Sequence, residues 1–304
     1  MTDRAITNRR ALSRLLTRIS NASVAEAMRG LEAETSAPTA RIGITGAPGA
    51  GKSSLIARLA RHRLAQDKRI GVLAIDPTSP VTKGSLLGDR IRMDAVADHP
   101  AFFIRSVPSR NAHDGLSDNT PDLLLAMEAH GFDEVVLETV GVGQAEYAVK
   151  TLVDTVVLVL MPGSGDAIQA MKAGILETAD IYVVNKADLP GAGHAAGEVK
   201  ATLALKTLRP GAWRHPVLLS SEKDEESIAK LSDAIDAHRE WLRGQNHGEA
   251  IRRRRVQYHL QSLVGRRVEE LMAAGDAARY DQPLTDLFQT VVEELGSTLD
   301  SAGE

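Results

Sequence analysis

The stretch that most constrains this chain is Arg41–Ser54, RIGITGAPGAGKSS. A short β-branched run, Ile42 to Thr45, has the pattern of a buried strand. Behind it Gly46-Ala47-Pro48-Gly49-Ala50-Gly51-Lys52-Ser53 fits G-x-x-x-x-G-K-[ST] at every fixed position. The spacing has a chemical reason. Glycines let successive backbone N–H groups curl around phosphate oxygens, Lys52 reaches the β- and γ-phosphates, and the Ser53 hydroxyl ligates Mg²⁺. Ser54 and Leu55-Ile56-Ala57 continue as a helix whose N-terminal dipole faces the same phosphates. A strand before and a helix after are what separate this loop from a chance glycine run. The expectation is a nucleotide site built from Gly46 through Ser54.

The rest of the chain supports one large α/β unit. From 41 to about 222, apolar runs (42–45, 70–75, 101–104, 134–138, 154–160, 181–184 and 217–220) alternate with helical patterns near 52–66, 86–97, 121–130, 144–151, 166–178 and 194–206. Runs such as Val156-Val157-Leu158-Val159-Leu160 are continuous rather than alternating. That predicts strands buried on both faces of a mainly parallel sheet. Residues 1–40 predict an N-terminal helical extension, with Leu12, Leu15, Leu16 and Ile19 at helical spacing. Residues 41–245 form the core, and 246–304 a helical arm with stripes at Leu260, Leu263, Val264, Leu271 and at Leu284, Leu287, Phe288, Val291. Such a hairpin either packs on its own core or serves as a dimerisation arm. The run Arg252–Arg255 predicts a solvated helix face.

Composition excludes several classes. The chain has 304 residues, no cysteine and a net charge of −4. There is thus no disulfide, thiolate nucleophile or Cys-based metal site, and no charge argument for nucleic acid. Nowhere do 18 apolar residues run together, so no membrane span is expected, and the N-terminus lacks a secretory core. A cytoplasmic location is the expectation.

Tyr182-Val183-Val184-Asn185-Lys186-Ala187-Asp188 ends a strand in N-K-x-D. The Asp188 carboxylate can accept from the N1–H and N2–H₂ of guanine, a donor pair adenine lacks, so the wrong base leaves it unpaired. Lys186 would lay its stem along the base and Asn185 would tie this loop to the phosphate loop. Ser220, Ser221 and Glu222, at the end of a later strand, could brace the base. Three acids fall where strands or loops should face the phosphates: Asp76, Asp89 and Glu138. Ser53 with two of them would satisfy Mg²⁺. Glu138-Thr139-Val140-Gly141 places an acid by the metal and a Gly141 N–H near the γ-phosphate, the pattern of a switch released on hydrolysis.

Together these motifs resemble the MeaB/ArgK family of P-loop GTPases, whose human relative is the methylmalonic aciduria type A protein. The resemblance spans most of 40–222 and rests on GAPGAGKSS, VLAIDPTSP, GSLLGDRIRM, AFFIRSVPS, GFDEVVLETVGVGQAE, PGSGDAIQAMKAG and VVNKADL. It implies a Rossmann-like GTPase core and a dimerising C-terminal arm, with Asp76, Asp89 and Glu138 at acidic positions around Mg²⁺. It also implies GTP/GDP as ligand, no directly bound cobalamin, and a GTP-dependent chaperone role toward an adenosylcobalamin-dependent acyl-CoA mutase. The chain departs from the family at Lys83, at Ser109–Gly115 and at Asp166–Ala170, all in expected partner-reading loops.

No glutamine directly follows Gly141; Val142 and Gly143 precede Gln144. Slow intrinsic hydrolysis is therefore expected, raised by the partner. Lys172 is a candidate to neutralise charge on the γ-phosphate in cis, as an arginine finger does. Two other classes compete: a nickel metallochaperone GTPase, which would need a Cys/His store that nine scattered histidines do not form, and a small-molecule kinase, against which the guanine motif argues.

Overall fold

In the computed structural model the described residues are 8–30, 39–76, 93–109, 116–139, 145–163, 178–205, 207 and 209–300. They build a seven-stranded sheet in the order β3-β2-β4-β1-β5-β6-β7, with every neighbouring pair parallel. The strands are β1 Ala40–Thr45, β2 Ile70–Asp76, β3 Phe102–Pro108, β4 Glu134–Glu138, β5 Thr155–Leu160, β6 Ile181–Val184 and β7 Val217–Leu219. The largest departure from expectation is β3, which runs four residues past Ile104. It stays paired along the whole of β2, from Ile70↔Phe102 to Asp76↔Pro108, although the polar pair Arg105-Ser106 breaks its apolar run.

Helices cover both faces. They are α1 Arg9–Ile19, α2 Val24–Gly30, α3 Lys52–Leu64, α4 Asp94–Ala97, α5 Thr120–Ala129, α6 Ala145–Leu152, α7 Ala192–Ala204, α8 Glu226–Gly244, α9 Gly248–Ala274 and α10 Leu284–Asp300. Only the end of the expected 86–97 helix lies within the described residues, as α4; the expected 166–178 helix lies outside them. Strand alternation sorts the core into two layers. Leu73, Ile75, Val135, Leu137, Val156, Leu158, Tyr182 and Val184 pack on one face with Leu12 and Leu16 of α1, Leu123 and Leu124 of α5, and Val149 of α6. Val72, Val136, Val157, Val159, Ile181 and Val183 pack on the other with Leu55, Ile56 and Leu59 of α3 and Ile228, Leu231 and Ile235 of α8. Burial on both sides is why these strands read as unbroken apolar runs.

The terminal helices attach through specific polar contacts. The Arg9 guanidinium of α1 donates to the carbonyls of Ala97 and Phe102, and Asn119 Nδ2 donates to the Ile19 carbonyl. The arm is pinned at its middle, where Asp122 of α5 accepts from His259 Nε2 and from Arg266 Nη1, each at 2.7 Å. Arg266 also donates to the Ala22 carbonyl, and Glu270 accepts the Val24 N–H at 2.7 Å. The expectation that Arg252–Arg255 is a solvated face holds only for Arg252 and Arg253. Arg254 donates to the Val153 carbonyl, and Arg255 bonds Asp154, whose other oxygen accepts the Arg41 N–H. Half of the run is thus a docking contact between the arm and the base of the sheet.

The face of the arm away from these contacts is apolar and open. Val256, Leu260 and Val264 recur at every fourth residue along α9, and Leu284, Phe288 and Val292 do the same along α10, with Leu284 80% and Phe288 67% exposed.

Candidate nucleotide site

The loop between β1 and α3 is built by glycine geometry. Gly46 leaves β1 at φ +145°, so close to β5 that a Cβ there would lie 2.1 Å from the Val159 carbonyl oxygen. No other residue can occupy that position without moving a core strand. The chain then turns through Ala47, Pro48, Gly49 and Ala50 to Gly51, and α3 opens at Lys52 and continues through Ser53 and Ser54. The Lys52 ammonium is buried and donates to the carbonyls of Gly46 (2.8 Å) and Ala47 (3.2 Å), which centres it within the loop. The first turn of α3, the positive end of its helix dipole and this cation lie together at the loop, an arrangement suited to a polyphosphate.

The N-K-x-D loop follows β6, which lies two strands from β1. Asn185 Nδ2 donates to the Ala50 carbonyl at 2.8 Å, as its spacing implied, and its own N–H is held by Leu160. Lys186 extends over the phosphate loop, its ammonium 2.8 Å from the Gly49 carbonyl. Asp188 lies against the turn after β7: Ser221 Oγ donates to Asp188 Oδ1 at 3.0 Å, and Lys223 Nζ stands 2.9 Å from Oδ2. The hydrogen bond from Lys223, then that from Ser221, hold the Asp188 carboxyl below the ordinary carboxylate range, so it is an anionic acceptor at neutral pH. Ser220 is buried, with its N–H on the Val184 carbonyl and its carbonyl on the Ala187 N–H, which locks the two loops together. Glu222 sits exposed in the same turn. The sequence placed Ser220–Glu222 near the base, but that Ser221 and Lys223 bond Asp188 itself depends on the β6–β7 pairing, which brings the two loops together.

The carboxylates are placed by strand register. Glu138 pairs with Ala74 of β2 and Ile44 of β1, and Asp76 lies two residues beyond Ala74. Both therefore point to the α3 side of the sheet, where Ser53 lies in the first turn of the helix. Ser53 Oγ donates to Glu138 Oε1 at 2.8 Å, and Ser53, Asp76 and Glu138 are all buried. Two buried carboxylates and a hydroxyl beside a phosphate loop match the oxygen donors that Mg²⁺ prefers, and a cation there would offset the cost of burying the acids. Asp89, Gly141 and Lys172 lie outside the described residues, as do Lys83, 110–115 and 166–170.

With this geometry in hand, the comparisons are decisive. The profile of the family described as methylmalonyl-CoA mutase-associated GTPase MeaB matches residues 12–277. The chain belongs to the MeaB family of GTPases. Its relatives agree. A Pyrococcus abyssi protein described as a GTPase is 41% identical over 261 residues, 84% of this chain and 80% of its own. The GTPase ArgK of Escherichia coli is 35% identical over 248 residues, 80% of this chain and 74% of its own. The mouse methylmalonic aciduria type A homolog, mitochondrial, is 33% identical over 251 residues, and the chain spans 60% of that protein's length. Among solved structures, that of a LAO/AO transport system kinase superposes with a TM-score of 0.59 at 23% identity, covering 96% of this chain and all of the other. That likeness concerns the fold. The MeaB-family assignment makes the chain a GTPase, and the loop-and-sheet geometry is the apparatus expected of one. Among the described residues no helix is long and apolar enough to cross a membrane.

Proposed function

We propose that this MeaB-family GTPase is a nucleotide-driven chaperone of an adenosylcobalamin-dependent acyl-CoA mutase, admitting cofactor and protecting the enzyme according to whether GTP or GDP is bound. The observation that carries it is the site's build: Glu138 and Ser53 meet at the buried end of β4, and the chain runs from there straight into the Thr139–Gly141 switch sequence. A site that served a metabolic step of its own would need a second pocket for a phosphate acceptor. One that reports its nucleotide needs only such a strand end.

In this reading the phosphate loop and Lys52 bind the triphosphate, Asp188 selects guanine, and Asn185 holds the two loops at the right separation. Ser53, Asp76 and Glu138 would hold Mg²⁺, with Asp89 as a further acid; the ion would spread the charge that builds on the phosphates. Gly141 would sense the γ-phosphate, and Lys172 would neutralise charge developing on it when the partner stimulates turnover. The open apolar stripes of α9 and α10 support homodimerisation through the arm, one of the two readings the sequence pattern left open. A cytoplasmic setting fits a chain with no cysteine.

The test is GTP turnover at fixed protein with and without cobalamin-dependent acyl-CoA mutases, each repeated with Mg²⁺ chelated. A slow basal rate that rises ten-fold or more, on the order of 1.4 kcal/mol in the barrier, with one mutase is expected. No acceleration by any of them would sink the chaperone role, and Mg²⁺-independent turnover would remove the metal. For the arm, light scattering on Phe288→Glu should show monomer where the parent is dimer; a monomeric parent would refute it.

A further inference from the structure

The turn that steadies the guanine-reading carboxylate is itself anchored to the phosphate-loop helix. Arg58 lies six residues after Lys52 on α3, half-buried, and its Nη2 donates to the Asp224 carbonyl at 2.6 Å. The same residue closes the 221–224 turn: the Asp224 N–H donates to the Ser221 carbonyl, Ser227 Oγ donates to the Asp224 carbonyl, and the Lys223 N–H donates to Ser221 Oγ. Ser221 Oγ in turn bonds Asp188. A continuous path therefore runs from the helix that holds the phosphates, through one guanidinium, to the group that reads the base.

We infer that Arg58 is a positioning residue for guanine recognition, setting the angle of the Asp188 carboxylate through the 221–224 turn. The chemistry favours this role over a passive surface contact. Arg58 donates to a backbone carbonyl rather than pairing with a mobile acid, so it fixes main chain. The neighbouring Arg61–Glu225 pair on the same helix face is an exposed ion pair between two flexible side chains, 55% and 71% exposed, and such pairs hold little. Asp188 needs both oxygens aligned with two guanine donors at once. A small rotation of the carboxylate would spare the bond to N1–H and lose the one to the 2-amino group.

The inference rests on Asp188 being the guanine reader and on nothing about the mutase. Its test compares the affinities of GTP and ITP, which lacks the 2-amino group, for the full-length parent and for Arg58→Ala, Arg58→Lys, Arg61→Ala and Asp188→Ala. Arg58→Ala should lower the GTP-to-ITP preference by ~5-fold, about the worth of one hydrogen bond, while ITP affinity changes ~2-fold or less. Arg58→Lys should restore part of the preference, and Arg61→Ala should leave it unchanged. In the Asp188→Ala background, removing Arg58 should have no further effect on the preference. Equal loss of GTP and ITP affinity in Arg58→Ala, or an equal effect from Arg61→Ala, would overturn the positioning role. If Asp188→Ala itself keeps the parent preference, the guanine assignment fails first, and the two failures are distinguishable.

Discussion

Gly46 offers a sharp physical test of the site. In Gly46→Ala the new methyl carbon would start 2.1 Å from the Val159 carbonyl oxygen, with the backbone at φ +145°. Neither partner can yield cheaply, since the obstacle is main chain in the middle of the sheet, where β5 pairs with both β1 and β6. A residue held in a glycine-only conformation costs about 1–3 kcal/mol, and overpacking of this kind a further 1–3 kcal/mol. Gly49 is the control. It also turns through positive φ (+80°), but nothing lies within 4 Å of its Cβ position, so Gly49→Ala should cost only the left-handed backbone term of about 1–2 kcal/mol. Thermal unfolding and GTP titration read both. Gly46→Ala should melt about 5–10 °C lower and bind GTP at least ~100-fold more weakly, because relief moves the loop off its phosphate geometry. Gly49→Ala should melt within about 4 °C of the parent and keep most of its affinity. Equal behaviour of the two variants would refute the argument, since it would mean that the approach to Val159 does not decide the loop's shape.

Two further perturbations bear on the same framework. Asn185→Ala removes the 2.8 Å bond to the Ala50 carbonyl and should weaken GTP and ITP alike by ~5–30-fold, the worth of a buried hydrogen bond, in an equilibrium titration; an unchanged affinity would show the phosphate loop holds itself. His238 is 1% exposed, donating to or accepting from Thr155 Oγ1, wedged between Trp213 and Trp241, and faced by Asp180 with Lys150 beyond it. Burial pushes its pKa down to about 4 from 6.5, with Asp180 opposing. Between those values the unfolded chain binds the extra proton, so stability should rise with pH from about 4 to 6.5 and level off above. The span is about 3 kcal/mol at most. Urea unfolding at pH 4.5 and 7 should show this slope, and His238→Asn should flatten it; an unaltered slope would place the titration elsewhere.

Much of this protein was legible because its chemistry is carried by short, local patterns. A phosphate loop needs glycines at fixed offsets, a strand buried on both faces needs a continuous apolar run, and guanine reading needs an acid at a strand end; each is a constraint on neighbouring residues. The positions of the core strands along the chain and their parallel pairing, the loop from Gly46 to Ser54, the contact of Asn185 with that loop, and acids at the ends of β2 and β4 followed from such constraints. What they could not convey was which distant segments the sheet would bring together. The full length of β3 depends on pairing with β2 rather than on its own apolar content, and Arg105-Ser106 in its middle disguised it. Arg254 and Arg255 look like solvated charges until the arm folds back onto Val153 and Asp154. His259 and Arg266 gain their purpose only from Asp122, 137 and 144 residues earlier in the chain. Arg58 meets the 221–224 turn and Lys223 meets Asp188 because parallel pairing of β6 with β7 lays that turn beside Asp188 and against α3. Spacing along the chain specified the phosphate loop and the acids expected beside it; burial and sheet order, which act between residues far apart in sequence, decided what holds those groups in place.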